Sequence, residues 1–165
     1  MQNYSQGMEQ MGEGKKALLV MGCPEVPVQM SMVIYLTHKL KKSGWDVTVA
    51  GTNAAVKLLK VADPENYYVQ ETVDLDQLIG DVVEKKVDFD VCFAFMHSDA
   101  GLTYGATFCA ISRARLYAVV FGKNAEALGE SIDYPAEKIV AKATHNPTPL
   151  KNKIDKVALW AVSSS

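Results

Sequence analysis

Two apolar runs, VCFAFM at residues 91–96 and LYAVVF at residues 116–121, decide the fold class. Each run is apolar at consecutive positions, which predicts a strand whose two faces are both buried. Strands of this kind are typical of a parallel sheet that has helices packed on each side. The two runs therefore predict an α/β protein with a three-layer, doubly wound, mostly parallel sheet of the Rossmann-like or flavodoxin-like class.

Three more apolar runs, at residues 17–21, 46–50 and 138–143, bring the predicted strands to five, and amphipathic stretches separate them. Right-handed crossovers that cover both faces of the sheet require one reversal of winding beside the first strand, which predicts the order 2-1-3-4-5. Residues 64–72 fit an edge strand or an irregular crossing. The predicted helices are residues 28–42, a segment ending near residue 61, residues 75–86, segments ending near residues 113 and 132, and residues 149–161.

The length of 165 residues matches one domain. Residues 1–14 are polar and without periodicity, and residues 163–165 are serines, so both ends are interpreted as loosely ordered tails. A single α/β domain is predicted for residues 15–162.

The charge and hydropathy of the chain exclude several classes of partner. The net charge is −2 and the sequence has no basic cluster, which argues against nucleic acid and anionic membranes as partners. No apolar stretch approaches the roughly 20 residues of a membrane span, and no secretion signal precedes the first strand. The sequence predicts a cytoplasmic protein.

The three cysteines are odd in number and form no CxxC pair, so neither a disulfide framework nor a structural zinc site is indicated. Cys92 and Cys109 lie in apolar runs, where cysteine behaves as a small hydrophobic residue. No metal site is predicted, and no cofactor is named. The motifs GxGxxG, Walker A, GxSxG and HExxH are absent, although a mononucleotide, flavin phosphate or carboxylate at a helix N-terminus remains open.

The functional site is predicted at the carboxyl ends of the strands, where the loops after strands one and three flank the reversal of strand order. These loops read GCPEVP (residues 22–27) and HSDAG (residues 97–101). The loop after the fifth strand can approach the same edge. The candidate ligand-binding residues are Gly22, Cys23, Glu25, His97, Ser98, Asp99, His145 and Asn146.

Each candidate has a structural alternative. Cys23 precedes a helix whose dipole stabilises a thiolate, which suits a nucleophile, but it also fits a loop cysteine packed under Pro24. Glu25 is a possible base or a favourable charge near a helix N-terminus. Asp99 and Ser98 compete as helix caps. Asn146 belongs to an ordinary turn before the last helix.

Three stretches, GCPEVPVQM (residues 22–30), KVADPENYY (60–68) and ATHNPTPLKNKID (143–155), resemble a small archaeal family found in methanogens and described as a domain of unknown function. The resemblance runs from about Lys15 to Trp160. It implies a Rossmann-like three-layer fold and an anaerobic cytoplasm, with no established activity. The motifs at residues 22–25 and 145–147 match the family pattern, whereas the loop after the third strand is more variable.

Two classes of function follow. The first is a small-ligand or cofactor-binding protein, an accessory in methanogen metabolism, because the predicted edge has no recognisable catalytic set. The alternative is a cysteine-dependent enzyme or sulfur-transfer protein that uses Cys23, and a looser similarity to sulfur-relay proteins of the sulfite-reductase-accessory type points the same way. A homodimer is also predicted, because the apolar surface of the helix at residues 28–42 is wider than one sheet covers.

Overall fold

A computed structural model of the chain describes residues 14–157. Apart from Gly14, the two predicted tails lie outside these residues. The strands are β1 (Lys16–Val20), β2 (Asp46–Gly51), β3 (Thr72–Asp74), β4 (Val91–Met96), β5 (Arg115–Val120) and β6 (Glu137–Val140). The helices are α1 (Val28–Lys42), α2 (Asn53–Ala62), α3 (Leu75–Val83), α4 (Asp99–Ile111), α5 (Ala125–Glu130) and α6 (Thr148–Asp155).

The strands form one parallel sheet in the order β3-β2-β1-β4-β5-β6. The five predicted strands have the predicted relative order, but the predicted strand count was one too low. The sixth strand, β3, pairs with β2 at the edge through only three residues, Thr72 to Asp74. Two of these side chains are half-buried and one is exposed, so β3 has no apolar run to reveal it. Residues 64–71 are the irregular crossing that leads to β3.

Both faces of the sheet are covered, as the apolar runs predict. All six side chains of β4 are buried, and they alternate between two core clusters. Phe93 packs in the cluster that includes side chains of α1, α2 and α6, whereas Cys92 packs in the cluster that includes side chains of α3, α4 and α5. This alternation confirms the three-layer architecture.

Local signals place most helix boundaries. Thr52 and Asp74 cap α2 and α3, their side chains accepting from the backbone N–H of Ala55 (3.4 Å) and Gln77 (3.0 Å). Gly44, with φ +85°, follows the end of α1. The predictions for α3, α4 and α5 ran two or three residues too far, because periodicity marks the end of a helix poorly. Helix α6 ends at Asp155, and Lys156 and Val157 are not helical, so the predicted continuous helix toward residue 161 was too long; its predicted end lies outside the described residues.

The apolar surface of α1 is mostly covered within the chain. Its predicted stripe (Val28, Met32, Leu36 and Leu40) is buried against the sheet. Of the residues expected to extend this surface, Val33 is also buried, and Met30 and Ile34 are half-buried against the same core. The homodimer therefore stays a prediction, with less apolar surface on α1 to support it than the sequence suggested.

Candidate functional site

The reversal of strand order lies between β1 and β4, which are adjacent and parallel. From β1 the chain winds outward through β2 to β3, and it then returns to β4 and winds the other way to β6. The loops that follow β1 and β4 leave the sheet side by side at its carboxyl edge. Open α/β sheets bind ligands at this position.

A hydrogen bond joins these two loops. His97 Nε2 lies 2.9 Å from the backbone carbonyl oxygen of Cys23. A carbonyl oxygen can only accept, so Nε2 carries the proton, and in the neutral imidazole Nδ1 is left as an acceptor. The ring also packs against Phe121, with 5.4 Å between the centroids. The structure thus brings together two of the predicted site residues, one from each loop.

The Cys23 side chain is exposed at this edge, whereas Pro24 beside it is half-buried. The alternative of a cysteine buried under the loop prolines is therefore wrong. Cys92 is buried in the core, and burial raises the pKa of its thiol. Cys109 is half-buried, with its sulfur 3.7 Å from the carbonyl oxygen of Pro135. Of the three thiols, only that of Cys23 is open to reagents at the carboxyl edge.

A buried glutamine, missed by the sequence analysis, fixes the loop after β1. Gln29 is 1% exposed. Its Oε1 accepts from the N–H of Gly22, and its Nε2 donates to the carbonyl of Gly22, both at 3.2 Å. The signal for Gln29 in the sequence was its place in α1 directly after Val28, which belongs to the buried apolar stripe of that helix. Because both polar groups of Gly22 are held, the backbone that carries Cys23 has a defined position.

The N-terminus of α1 is closed by the protein itself. Pro27 has no N–H, the N–H of Val28 donates to the carbonyl of Thr144 (3.0 Å), and that of Gln29 donates to the carbonyl of Val26 (3.2 Å). The N–H groups of Val28 and Gln29, which would help to hold a phosphate or carboxylate, are therefore already used. This disfavours an anion at α1, which the sequence had left open.

The bond to Thr144 also attaches the loop after β6 to the same edge. His145 is exposed, and its Nδ1 lies 3.3 Å from Thr144 Oγ1. Asn146 accepts from the N–H of Thr148 (3.1 Å), which explains it as a turn residue before α6. Within the described part of the chain, no hydrogen bond joins either side chain to His97 or Cys23.

A cavity of about 420 Å³ opens on the other side of His97. Ser98 occupies the N-cap position of α4 but its side chain makes no capping bond, and Asp99, which is exposed, begins the helix. The sequence analysis predicted the wall that residues 97–99 form. It missed the opposite wall, which is formed by α5 and the residues at its two ends. The cavity is lined by His97, Ser98, Asp99, Asn124, Ala127, Leu128 and Ser131. Cys23 lies outside this lining, so the structure divides the predicted site into a cavity and a thiol, linked through His97.

Two glycines allow this close packing. A Cβ atom on Gly101 would lie 2.5 Å from Met96 Cβ, so the first turn of α4 can rest on the end of β4 only without a side chain there. Gly122 has φ +94°, and a Cβ on it would lie 3.4 Å from His97 Cβ. The absence of a side chain at these two positions lets the first turn of α4 and the loop after β5 pack closely beside the cavity.

Residues 18–157 match the family described as Domain of unknown function (DUF1890). The chain belongs to the DUF1890 family. It is similar to Uncharacterized protein MJ0452 of Methanocaldococcus jannaschii, with 35% identity over 144 residues that cover 85% of this chain and 95% of the relative. A solved structure, that of MT0777, has 41% identity and a TM-score of 0.81, and the match covers 88% of this chain and 97% of the other. The resemblance to a methanogen family of unknown function is confirmed.

A larger hollow of this DUF1890 protein, about 820 Å³, lies at the opposite, amino edge of the sheet. It is an open polar surface on which the two carboxylates, Asp88 and Asp90, have hydrogen-bond partners. Asp88 accepts from Ser112 Oγ (2.6 Å) and from the N–H of Arg113 (3.2 Å), and the Arg113 guanidinium lies 3.8 Å from Asp90. Because ligands of such sheets bind at the carboxyl ends of the strands, we place the candidate site at the cavity beside His97.

Residues 14–157 contain no group of three or more histidine, cysteine, aspartate or glutamate side chains arranged to hold a metal ion. Within the same range, no helix has the length and apolar character that a membrane span requires. Glu25 is exposed and makes no hydrogen bond or ion pair with another described residue.

Proposed function

We propose that this DUF1890 protein binds a small polar molecule in the cavity between α4 and α5, as an accessory protein of methanogen metabolism without turnover of its own. The observation that carries the proposal is the 2.9 Å hydrogen bond from His97 to the Cys23 carbonyl. It fixes one wall of a 420 Å³ cavity at the reversal of strand order. The relative from a methanogen supports the metabolic setting.

The cavity favours a ligand with hydrogen-bond donors. The Asp99 carboxylate only accepts, and in the His97 tautomer that donates to Cys23 through Nε2, Nδ1 is an acceptor. The hydroxyl of Ser131, which also lines the cavity, already donates to the carbonyl of Leu128 at 2.7 Å. Hydroxyl or amino groups on the ligand would match this set, whereas an anion would face the Asp99 carboxylate.

The test is native mass spectrometry of the protein purified from its own host. Ala127 is exposed and lines the cavity, so Ala127→Phe fills it with a bulky ring. Glu126→Phe puts the same ring on an exposed neighbour outside the lining. We expect a bound mass on the wild type and on Glu126→Phe that Ala127→Phe lacks. A bound mass retained by Ala127→Phe would place the ligand elsewhere.

The alternative function is thiol chemistry at Cys23, which its exposure favours. The thiolate would attack an electrophilic sulfur or carbon centre, forming a bond to the cysteine sulfur and expelling the leaving group with its electron pair. This predicts an adduct on Cys23 that dithiothreitol removes if it is a persulfide or mixed disulfide. Intact mass before and after reduction, with Cys23→Ser as the control, separates this chemistry from reversible binding in the cavity.

The homodimer is a separate proposal. Met30 and Ile34 remain half-exposed on α1, and a second copy related by a twofold axis would cover them. Sedimentation velocity at micromolar concentration should then show a dimer, which Ile34→Glu dissociates. A single monomeric species of the wild type would refute it.

A further inference from the structure

Exposed apolar side chains are concentrated at the end of α2 and in the loop after it. The large hydrophobic residues exposed in the described chain are Leu58 (48%), Val61 (79%), Tyr67 (71%), Tyr68 (38%) and Val83 (58%). All but Val83 fall within residues 58–68, and we call these four residues the 58–68 surface. Contiguous exposed apolar patches mark interaction sites, and Tyr67 and Tyr68, whose rings are in contact, form such a patch, whereas a single side chain such as Val83 needs no explanation.

The two tyrosines are held in place by a buried carboxylate. Asp63 is 7% exposed, and it accepts hydrogen bonds from the N–H groups of Tyr67 (2.8 Å), Tyr68 (2.9 Å) and Val69 (2.8 Å). Desolvation raises the pKa of Asp63, but these three donors and Lys41 outweigh it, so the pKa is lowered and the carboxylate stays charged at neutral pH. The loop thus folds back on the residue that ends α2, and the backbone that carries the two rings has a defined position.

The tyrosine rings form one wall of a hollow of about 290 Å³ whose other wall is the end of α1. Tyr67 and Tyr68 meet edge to face at 4.8 Å, and His38 meets Tyr68 in the same way at 5.7 Å. Lys41 and Lys42 complete the lining, and Lys41 Nζ lies 3.5 Å from the carbonyl oxygen of Tyr68. The hollow therefore has aromatic walls and an ammonium rim, which suits an apolar side chain flanked by carboxylates.

The charge around this surface identifies the kind of partner. Lys42, Lys57 and Lys60 are exposed, and none of them forms an ion pair with another residue in the range 14–157. With Lys41 these lysines number four, whereas the carboxylates of residues 58–68 are two, Asp63 and Glu65, so this surface carries a positive charge although the net charge of the chain is −2. A second copy that faced this surface across a twofold axis would bring like charges together, which is unfavourable. An acidic partner is complementary.

We propose that the 58–68 surface docks an acidic segment of a partner protein, with an apolar side chain of that segment in the hollow between Tyr67, Tyr68 and His38. Carboxylates on either side of it pair with Lys41 and Lys42. Few residues carry most of the energy at such sites, and aromatic anchors in a pocket are typical of them. This docking site is independent of the cavity beside His97.

The test is a titration of the isotope-labelled protein, followed by amide resonances in NMR spectra. The probes are two synthetic peptides that share a central Phe-Leu pair, one flanked by aspartate and glutamate and the other by lysine. We expect the acidic peptide to shift the amides of Tyr67, Tyr68 and Lys41, and its affinity to fall as salt is raised. Val61→Ser and Tyr67→Ala should each weaken binding by about tenfold or more.

Val83→Ser is the matched control, since Val83 is also an exposed valine of a helix but lies apart from this surface. Its affinity for the acidic peptide should equal that of the wild type, and melting curves verify that all variants fold. The proposal is overturned if neither peptide binds, if both bind equally, or if Val83→Ser weakens binding as much as Val61→Ser. It is equally overturned if the surface binds phosphatidylglycerol vesicles but not the peptide, or if Val61→Ser dissociates a dimer.

Discussion

His97 Nε2 donates to the carbonyl oxygen of Cys23 at 2.9 Å, across the point where the winding of the sheet reverses. The residues are 74 positions apart in sequence, and they meet because β1 and β4 are neighbours. This contact sets the position of the exposed thiol relative to the cavity. Loss of this hydrogen bond should therefore affect the reactivity of the Cys23 thiol more than it affects the free energy of unfolding.

Substitution of His97 tests this coupling. His97→Ala removes this hydrogen bond and the contact of the ring with Phe121, and we expect the free energy of unfolding to fall by about 1–2 kcal/mol. The loop at residues 21–27 should loosen, so Cys23 should react with iodoacetamide several-fold faster. His97→Gln keeps a side-chain N–H donor and should restore most of the wild-type rate. Equal rates in all three proteins would show that the bond does not order the loop.

The cysteines should differ sharply in the effect of substitution by serine. Cys23→Ser changes an exposed side chain, so unfolding in urea should shift by no more than about 0.5 kcal/mol. Cys92→Ser buries a hydroxyl in the apolar core and should cost about 1–3 kcal/mol. In the folded protein, one thiol should react rapidly with Ellman's reagent, and Cys23→Ser should abolish that phase. A fast phase that persists in Cys23→Ser would assign it to Cys109.

The fold could be predicted because its central strands are buried on both faces, and runs such as VCFAFM that alternate with amphipathic stretches are typical of a parallel sheet covered by helices. The edge strand β3 could not, because three partly exposed residues carry no pattern. The sequence correctly indicated a wide apolar surface on α1. It could not show that the sheet and α6 cover most of that surface. Periodicity reports which side chains are apolar, and not how much surface the rest of the chain covers.

The candidate site was only half predictable. The loops after β1 and β4 meet for topological reasons, so Cys23 and His97 could be placed together from the sequence. The side chains that complete the site do not follow from topology. Gln29 clamps Gly22 from a helix position that looks merely polar, and the cavity wall of α5 depends on how that helix packs.

Gly101 should be indispensable to the first turn of α4. Gly101→Ala would place a Cβ 2.5 Å from Met96 Cβ, which forces the helix off the end of β4 and should cost about 1–3 kcal/mol. Gly80, inside α3, has open space around it, so Gly80→Ala should be neutral or stabilise the protein by up to about 1 kcal/mol. Melting temperatures of the two variants measure the difference. Equal melting temperatures would mean that α4 shifts without cost.

Asp155 should make the stability of the protein depend on acidic pH. Its carboxylate accepts from Tyr35 Oη (2.5 Å), Lys151 Nζ (2.7 Å) and Lys39 Nζ (3.1 Å), which ties α6 to α1. Desolvation raises the pKa of Asp155, but Lys151, Tyr35 and Lys39 outweigh it and lower the pKa to about 2. Since the pKa is lower in the folded state, the carboxylate stabilises the fold above the unfolded value of 3.8, and this is lost as the pH falls toward 2.

Asp155→Asn should therefore lower the free energy of unfolding by about 1–2 kcal/mol at pH 7, a figure reduced for the partial exposure of the pair, and by almost nothing near pH 2. Asp133→Asn is the control, because Asp133 is exposed and has no ion pair among residues 14–157. Urea unfolding of the three proteins between pH 2 and pH 7 gives the comparison. A deficit of Asp155→Asn that is the same at every pH would show that packing of α6, and not the charge of Asp155, holds that helix against α1.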